Sequence, residues 1–324
     1  MIYGLLRWIA GIALHWFYSD IRVLGAESIP ARGPLLIAVN HPNALVDSLI
    51  VGWVVPRRIA MTAKATLTDN PLIAYLFRML HVVPLRRVSD EARNSNGAPV
   101  DRLRNLDAFR EIMDLLARGG AVLIFPEGKS HNELGLEPLK TGLARLALQA
   151  RDEGAITGIR ILPLGLVFED KGTPGTAVGA RIGEAIEMDA WSGTDNKALT
   201  EEIATRLRAV AEEAGLPPKR SSPPRQTQDS AKERFIALAA WWGRLTHRTP
   251  VRLARTLAVR RSTNADEPAM LTILFGIALV LATYAIHLAI VGTLSHSVWI
   301  VCLYLAALLI GAYWAAFEPH PRRY

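Results

Sequence analysis

From Ala269 to Val291 the chain runs for 23 residues without a formal charge, and from Ser297 to Phe317 it does so for another 21. At 1.5 Å per residue each run makes a helix of roughly 30 to 35 Å, the thickness of a bilayer's hydrocarbon core. Soluble core helices of this length rarely lack a polar face, so two buried helices are the weaker reading. Only Gly292-Thr-Leu-Ser-His296 separates the runs. That makes them antiparallel, with both outer ends on one side of the membrane. Arg260 and Arg261 precede the pair and Arg322 and Arg323 follow it. By the positive-inside rule that side is cytoplasmic. Residues 262–324 are therefore read as a transmembrane hairpin.

The remaining composition fits a folded, membrane-bound protein. Half of the residues are apolar, 21% are charged and mean hydropathy is +0.19, which excludes a disordered chain. The net charge of +7 is uneven: residues 219–261 hold eleven Lys and Arg against two acids, leaving the rest at −2. A basic block beside apolar runs points to anionic phospholipid, and no nucleic-acid partner is expected. The single cysteine, Cys302, excludes an intrachain disulfide and a cysteine metal cluster. No metal site and no cofactor are expected. Residues 1–19 carry an apolar run broken by Arg7 and His15 with no small-residue cleavage site, and they read as an interfacial helix with Trp8, Trp16, Phe17 and Tyr18 at the headgroup level. A spanning role for this helix stays open.

Residues 20–215 alternate short apolar runs with amphipathic segments. The runs 33–39, 58–63, 81–85, 121–125 and 159–168 are nearly all apolar, as strands of a sheet covered on both faces are. Helices are expected over Asp101–Arg118, stopped by Gly119-Gly120, over Leu139–Arg151 and over Lys197–Ala214. Such alternation predicts an α/β domain. Residues 216–230, rich in Pro and Ser, form a linker, and 231–261 a basic amphipathic segment lying on the membrane surface.

Reactive residue types collect where these strands end. After the run 33–39 comes Asn40-His41-Pro-Asn-Ala-Leu-Val-Asp47. If a helix starts with Asn43 as its N-cap, Asp47 lies one turn in, close to a histidine in the preceding loop. Its carboxylate would accept the imidazole Nδ1–H and leave Nε2 as a base. After 121–125 comes Pro126-Glu127-Gly128-Lys129-Ser130. Its ending resembles a phosphate-binding P-loop, but the glycine needed five residues earlier is Leu123. Lys129 and Ser130 suit an anionic group, with Lys140 as a further cation. The run 81–85 leads to Arg86 and Arg87, either able to present a planar fork to a phosphate.

Taken in order, Asn40-His41 with Asp47, VVPLRR, FPEGKS leading into Leu139-Lys-Thr-Gly, and ILPLGLVF resemble the four sequence blocks of the glycerolipid acyltransferases, which acylate glycerol-3-phosphate and lysophosphatidate. The resemblance spans about residues 30–190. It implies a sheet covered by helices in the glycerolipid acyltransferase fold. It also implies His41 and Asp47 as the catalytic pair, Arg86 (with Arg87 as fallback), Glu127 and Gly128 binding the phosphoglycerol part of the acceptor, and Pro163 shaping the acyl-donor site. Two departures stand out. Five residues rather than the usual four separate His41 from Asp47, and Lys129-Ser130 follows Gly128 where the family commonly has Thr-Arg-Ser. These variants look like the branch of fungal-type glycerol-3-phosphate and dihydroxyacetone-phosphate acyltransferases.

No Gly-x-Ser-x-Gly elbow is present and Cys302 lies in a span, so no covalent acyl-enzyme is indicated. The expected reaction moves an acyl group from acyl-CoA or acyl carrier protein to glycerol-3-phosphate or lysophosphatidate, at the cytoplasmic face of a phospholipid membrane. The alternative from another class is a non-catalytic, membrane-tethered lipid-binding module on the same fold. A thioester or phospholipid hydrolase is a third.

Overall fold

A computed structural model describes the chain except Met1 and residues 65–81, 86–105, 131–134, 214, 218–230, 263–266 and 318–324. Its centre is a mixed eight-stranded sheet made of β1 (Asp20–Leu24), β2 (Leu35–Val39), β3 (Ile59–Lys64), β4 (Val82–Leu85), β5 (Ala121–Ile124), β6 (Arg160–Phe168), β7 (Ala177–Ile182) and β8 (Ile186–Glu187). The order is β1-β7-β6-β2-β5-β3-β4, with β8 also on β6. The β6–β7 and β6–β8 pairs are antiparallel and the other pairs parallel.

The five runs expected as strands all appear within a residue or two of the expected bounds. The sequence pattern does not predict β1, β7 and β8. β1 and β8 are short and carry charged residues, β7 has Gly179 and Arg181 among its apolar residues, and all three lie on the side of the sheet beyond β6. β2 is buried at every position, so both faces of the sheet must be covered.

One face is covered by α1 (Ile2–Phe17) and α2 (Ala44–Val54). The other is covered by α3 (Leu106–Ala117), α4 (Gly142–Asp152) and α5 (Asn196–Arg208). The helix expected over 197–214 leaves regular α geometry after Arg208, passing into a π turn over Ala209–Glu213. Odd positions of β2, Leu35, Ile37 and Val39, join the first core; Leu36 and Ala38 join the second. At about 1.5–3 kcal/mol for each buried large aliphatic side chain, this two-sided burial is what makes β2 the rigid centre.

α1 belongs to this body. Leu14, Phe17 and Tyr18 are buried in the first core, and Gly11 lies flat against the Trp53 ring of α2 with no room for a Cβ. Arg7 donates to the Trp53 carbonyl oxygen at 2.8 Å. The helix read from sequence as interfacial thus also seals the sheet.

Residues 231–261 form one helix, α6 (Ala231–Arg261), followed by α7 (Glu267–Ser295) and α8 (Val298–Phe317). α7 and α8 turn at His296, whose φ is +49°. Both are long and apolar enough to cross a membrane, and Leu281, Leu294, Trp299 and Leu303 stand 60–81% exposed. Apolar helices that expose such side chains need lipid around them, which marks the chain as membrane-associated. Burial is confined to the start of α7 and to the second half of α8 from Leu308 onward, with Ala269 and Ile273 entering the first core of the sheet domain.

α6 packs lengthwise on both helices instead of lying apart from them. It does so through Ala239, Ala240, Gly243, His247, Pro250, Ala254 and Ala258. The side chains on this stripe are mostly small, so the backbones approach closely. Gly243 meets the Gly311 carbonyl where no Cβ fits, and His247 Nε2 meets the Tyr284 hydroxyl at 2.7 Å. The outward face carries Phe235, Leu238, Trp241 and Leu245, then Arg248 and Arg252.

Candidate active site

β2 and β5 are adjacent parallel strands whose onward connections part company. β2 leads through α2 to β3 on one side, and β5 leads through α4 to β6 on the other. A parallel sheet opens a crevice at the carboxyl ends of two such strands. In register, Ala38 pairs with Ile124. His41 and Glu127 each come three residues later, so the Glu127 side chain meets the His41 backbone at the mouth of this crevice.

The exit of β2 is fastened on its other flank by Asn40. Its amide donates to the Leu166 carbonyl at 2.9 Å and its oxygen accepts the Leu166 N–H at 2.7 Å, extending the β2–β6 ladder by one side chain. His41 follows at 9% exposure, its ring stacked on Phe125 with centroids 3.8 Å apart and planes 13° from parallel. The stack fixes the imidazole plane and offers a π face to an imidazolium.

Asp47, in the first turn of α2, is wholly buried. Its Oδ2 accepts the Asn43 N–H at 2.7 Å and the His41 Nδ1–H at 2.9 Å. Oδ2 acts as acceptor toward the amide, which assigns the shared proton to Nδ1 and leaves Nε2 as the imidazole's acceptor. Burial pushes the Asp47 carboxyl up, and the hydrogen bond from His41 opposes it. The five-residue spacing therefore still couples the pair. Ala44, the first residue of α2, takes a left-handed φ of +46° where the chain turns into the helix.

Asn43 occupies the expected N-cap position but makes no side-chain cap bond. Its amide instead donates to the Tyr18 hydroxyl at 2.9 Å and to the Lys171 carbonyl at 3.2 Å. Burial and then the nearby Asp47 push the Tyr18 hydroxyl up, so it stays protonated. Lys171, in the β6–β7 loop, donates from Nζ to the Pro42 carbonyl at 2.9 Å. Tyr18 and Lys171 had no signal in the sequence: each lies far along the chain from His41 and outside any motif.

Glu127 is 1% exposed. Oε1 accepts the His41 N–H at 2.7 Å and Oε2 the Glu137 N–H at 2.9 Å. It ties together the two loops that frame the crevice. Gly128 takes φ +80°, which a side chain rarely adopts, and the Lys140 side chain lies against this turn. The Lys140 N–H donates to the Pro126 carbonyl at 2.8 Å. Lys129 is 61% exposed and pairs with Glu137 at 3.1 Å. Ser130 is half-buried beside it.

Pro163 is buried inside β6 opposite Ala38. There two residues of β6 face three in the β7–β8 strand, and Gly183 donates to the Pro163 carbonyl at 2.9 Å. A proline has no N–H to give, so the sheet's bulge sits where no ladder bond is lost. Arg86 and Arg87 lie outside the described residues; β4, which precedes them, ends on the same edge of the sheet as β2.

Residues 20–167 match the family model described as Acyltransferase. The chain is 21% identical to glycerol-3-phosphate O-acyltransferase 1 of Saccharomyces cerevisiae over 52% of its own length and 32% of that protein. It is 25% identical to a chloroplastic 1-acyl-sn-glycerol-3-phosphate acyltransferase of Arabidopsis thaliana over 51% of its length and 40% of the relative's. It thus spans well under half of these curated relatives. The crystal structure of the 1-acyl-sn-glycerophosphate acyltransferase from Thermotoga maritima superposes with a TM-score of 0.51 at 23% identity, covering 67% of this chain and 82% of that one, and so shares the fold. The sheet that brings the His41–Asp47 pair and Glu127 together thus lies in a domain, residues 20–167, that matches the Acyltransferase family model.

Proposed function

We propose that the protein transfers a fatty acyl group from a thioester, acyl-CoA or acyl carrier protein, to a hydroxyl of glycerol-3-phosphate or 1-acylglycerol-3-phosphate. The observation that carries this reading is the buried contact of His41 Nδ1 with Asp47 Oδ2, which leaves Nε2 as the base. Nε2 takes the proton of the acceptor hydroxyl as its oxygen attacks the thioester carbonyl. The tetrahedral intermediate collapses with cleavage of the C–S bond. The imidazolium returns the proton to the departing thiolate, giving ester and free thiol. Asp47 holds the tautomer and balances the imidazolium, and the Phe125 stack keeps the ring in plane.

Anchoring of the acceptor phosphate falls to cations around the crevice: Lys140 over the Gly128 turn, Lys129 at its rim, and Arg86 with Arg87 past the end of β4. Glu127 serves instead through the backbone, since both its oxygens take amide hydrogens. Relatives that act on either acceptor support the glycerolipid class and leave the choice between acceptors to assay. The basic flanks of the hairpin support a cytoplasmic face, where either donor would be met.

The test is acyl transfer by the purified full chain, with both acceptors in competition and both donors. His41→Ala should lower turnover by about 10²- to 10⁴-fold while leaving the protein folded. Free fatty acid released without acceptor would make it a hydrolase. Absence of turnover with every thioester, alongside lipid binding, would make it a lipid-binding module.

A further inference from the structure

The buried carboxylate of Asp47 poses an electrostatic problem that His41 does not solve alone. Oδ2 accepts two hydrogen bonds, but Oδ1 is buried without a hydrogen-bond partner among the described residues, and so is Oδ1 of the adjacent Asn43. A carboxylate in that setting needs a compensating charge close by, because desolvation otherwise favours its neutral form and takes away the group that stabilises the imidazolium.

We propose that Lys171 is a positioning residue for the His41–Asp47 pair: it holds the loop between them through the Pro42 carbonyl and supplies the positive charge that keeps the buried Asp47 carboxylate ionised. The loop from His41 to Asp47 is gripped at two adjacent residues by the same lysine. Nζ donates to the Pro42 carbonyl at 2.9 Å, and the Lys171 carbonyl receives the Asn43 amide at 3.2 Å and the Tyr18 hydroxyl at 3.2 Å. Lys171 therefore moves with the backbone that carries both members of the pair.

The groups around Asp47 come from four directions. His41 faces it from the loop after β2, and Tyr18, neutral, from the end of α1. Glu127 lies beyond the His41 backbone, and Asp170 sits beside Lys171 in the β6–β7 loop, turned to Thr173 and Gly172. Two of these groups are acidic and offer Asp47 no compensating charge. Lys171 is the cation among the described residues, besides His41 itself, whose charge acts on Asp47 in the stabilising sense.

The proposal rests on His41 being the base of an acyl transfer, so its test has an arm that needs no turnover. The two groups titrate as a unit, and a nearby cation lowers the pH at which the imidazolium–carboxylate pair loses its proton. Neutral imidazole is carbethoxylated by diethylpyrocarbonate, and the extent at the His41 peptide against pH reports that midpoint in the full-length protein in detergent.

With Lys171→Gln the midpoint should rise by about one pH unit, while Lys171→Arg should keep it near the wild type. In the transfer assay Lys171→Gln should lower kcat by roughly 10- to 100-fold with little change in acceptor KM, move the acid limb of the pH profile upward by the same amount, and be largely rescued by arginine. Lys171→Met replaces the glutamine variant if the latter does not melt within a few degrees of the wild type. An unshifted midpoint in a folded neutral variant, or an arginine variant that shifts as far as the neutral one, overturns the proposal. A wild type without transfer activity, with the midpoint still shifted in Lys171→Gln, overturns the acyl-transfer reading and leaves the role of Lys171 standing.

Discussion

The backbone N–H of His41 donates to Oε1 of Glu127 at 2.7 Å, across the gap between the two strands whose connections diverge. The acid of the Glu-Gly block thus braces the residue it stands beside, with its other oxygen on the Glu137 amide. In Glu127→Gln one of those amides would face an NH₂ group. A buried donor left without an acceptor costs about 1–3 kcal/mol, so the variant should melt several degrees lower. Turnover should fall roughly 10- to 100-fold with acceptor KM nearly unchanged, because the loss is in the placement of His41. Steady-state kinetics with varied acceptor decide it: a large rise in KM at unchanged kcat would give Glu127 to the acceptor.

Asp47→Asn separates activity from stability. Burial holds the Asp47 carboxyl above its ordinary value. A carboxyl raised in the folded state contributes its stability fully below its unfolded pKa, about 3.9, and loses it as pH rises through the folded value. The asparagine variant avoids that loss. It should melt at or above the wild type at pH 7–8, the difference shrinking as pH falls toward 4, while transfer drops by about 10²- to 10⁴-fold. Melting curves across this range check the sign. A variant much less stable than the wild type at pH 7 would mean that the hydrogen bonds to Oδ2 outweigh the cost of burial.

Gly243→Ala should loosen α6 from the hairpin. Its methyl group points at the Gly311 carbonyl, and overpacking of this kind costs about 1–3 kcal/mol. Trp242 packs edge-on to Tyr304 next to this contact. Its environment should become more polar in fluorescence. Carbethoxylation of His41 should stay within about threefold of wild type, since distant sites act independently. Unchanged emission and melting would show that the helices part at no cost.

The hairpin's ends should share one side of the membrane with the catalytic pair. A reporter placed at Leu294, at the α7–α8 turn, should read as external, and one at Arg225 as cytoplasmic. The opposite reading at either position would remove the proposed supply of cytoplasmic thioester donor.

What was legible in the sequence follows from the range of the physics involved. Uninterrupted apolarity in 269–291 and 297–317 is a property of composition, and the two helices stand where it puts them. The core strands are legible for the same reason, since β2, buried on both faces, leaves no room for polar alternation. β1, β7 and β8 are not, because their pairing along the antiparallel side depends on partners more than a hundred residues away for β1 and on the bulge opposite Pro163. The His41–Asp47 contact is local: six residues and one helix turn bring the groups together. That Glu127 braces His41, that Asn40 clasps Leu166, and that Tyr18 and Lys171 close behind Asn43 are decided by strand order and loop packing, which place residues up to 153 positions apart within hydrogen-bond reach. The sequence by itself determined which reactive groups leave the strand ends and that the chain needs a membrane. Only the tertiary structure decided which of those groups are held by side chains and which by the backbone, because a buried carboxylate takes whatever donors the fold supplies.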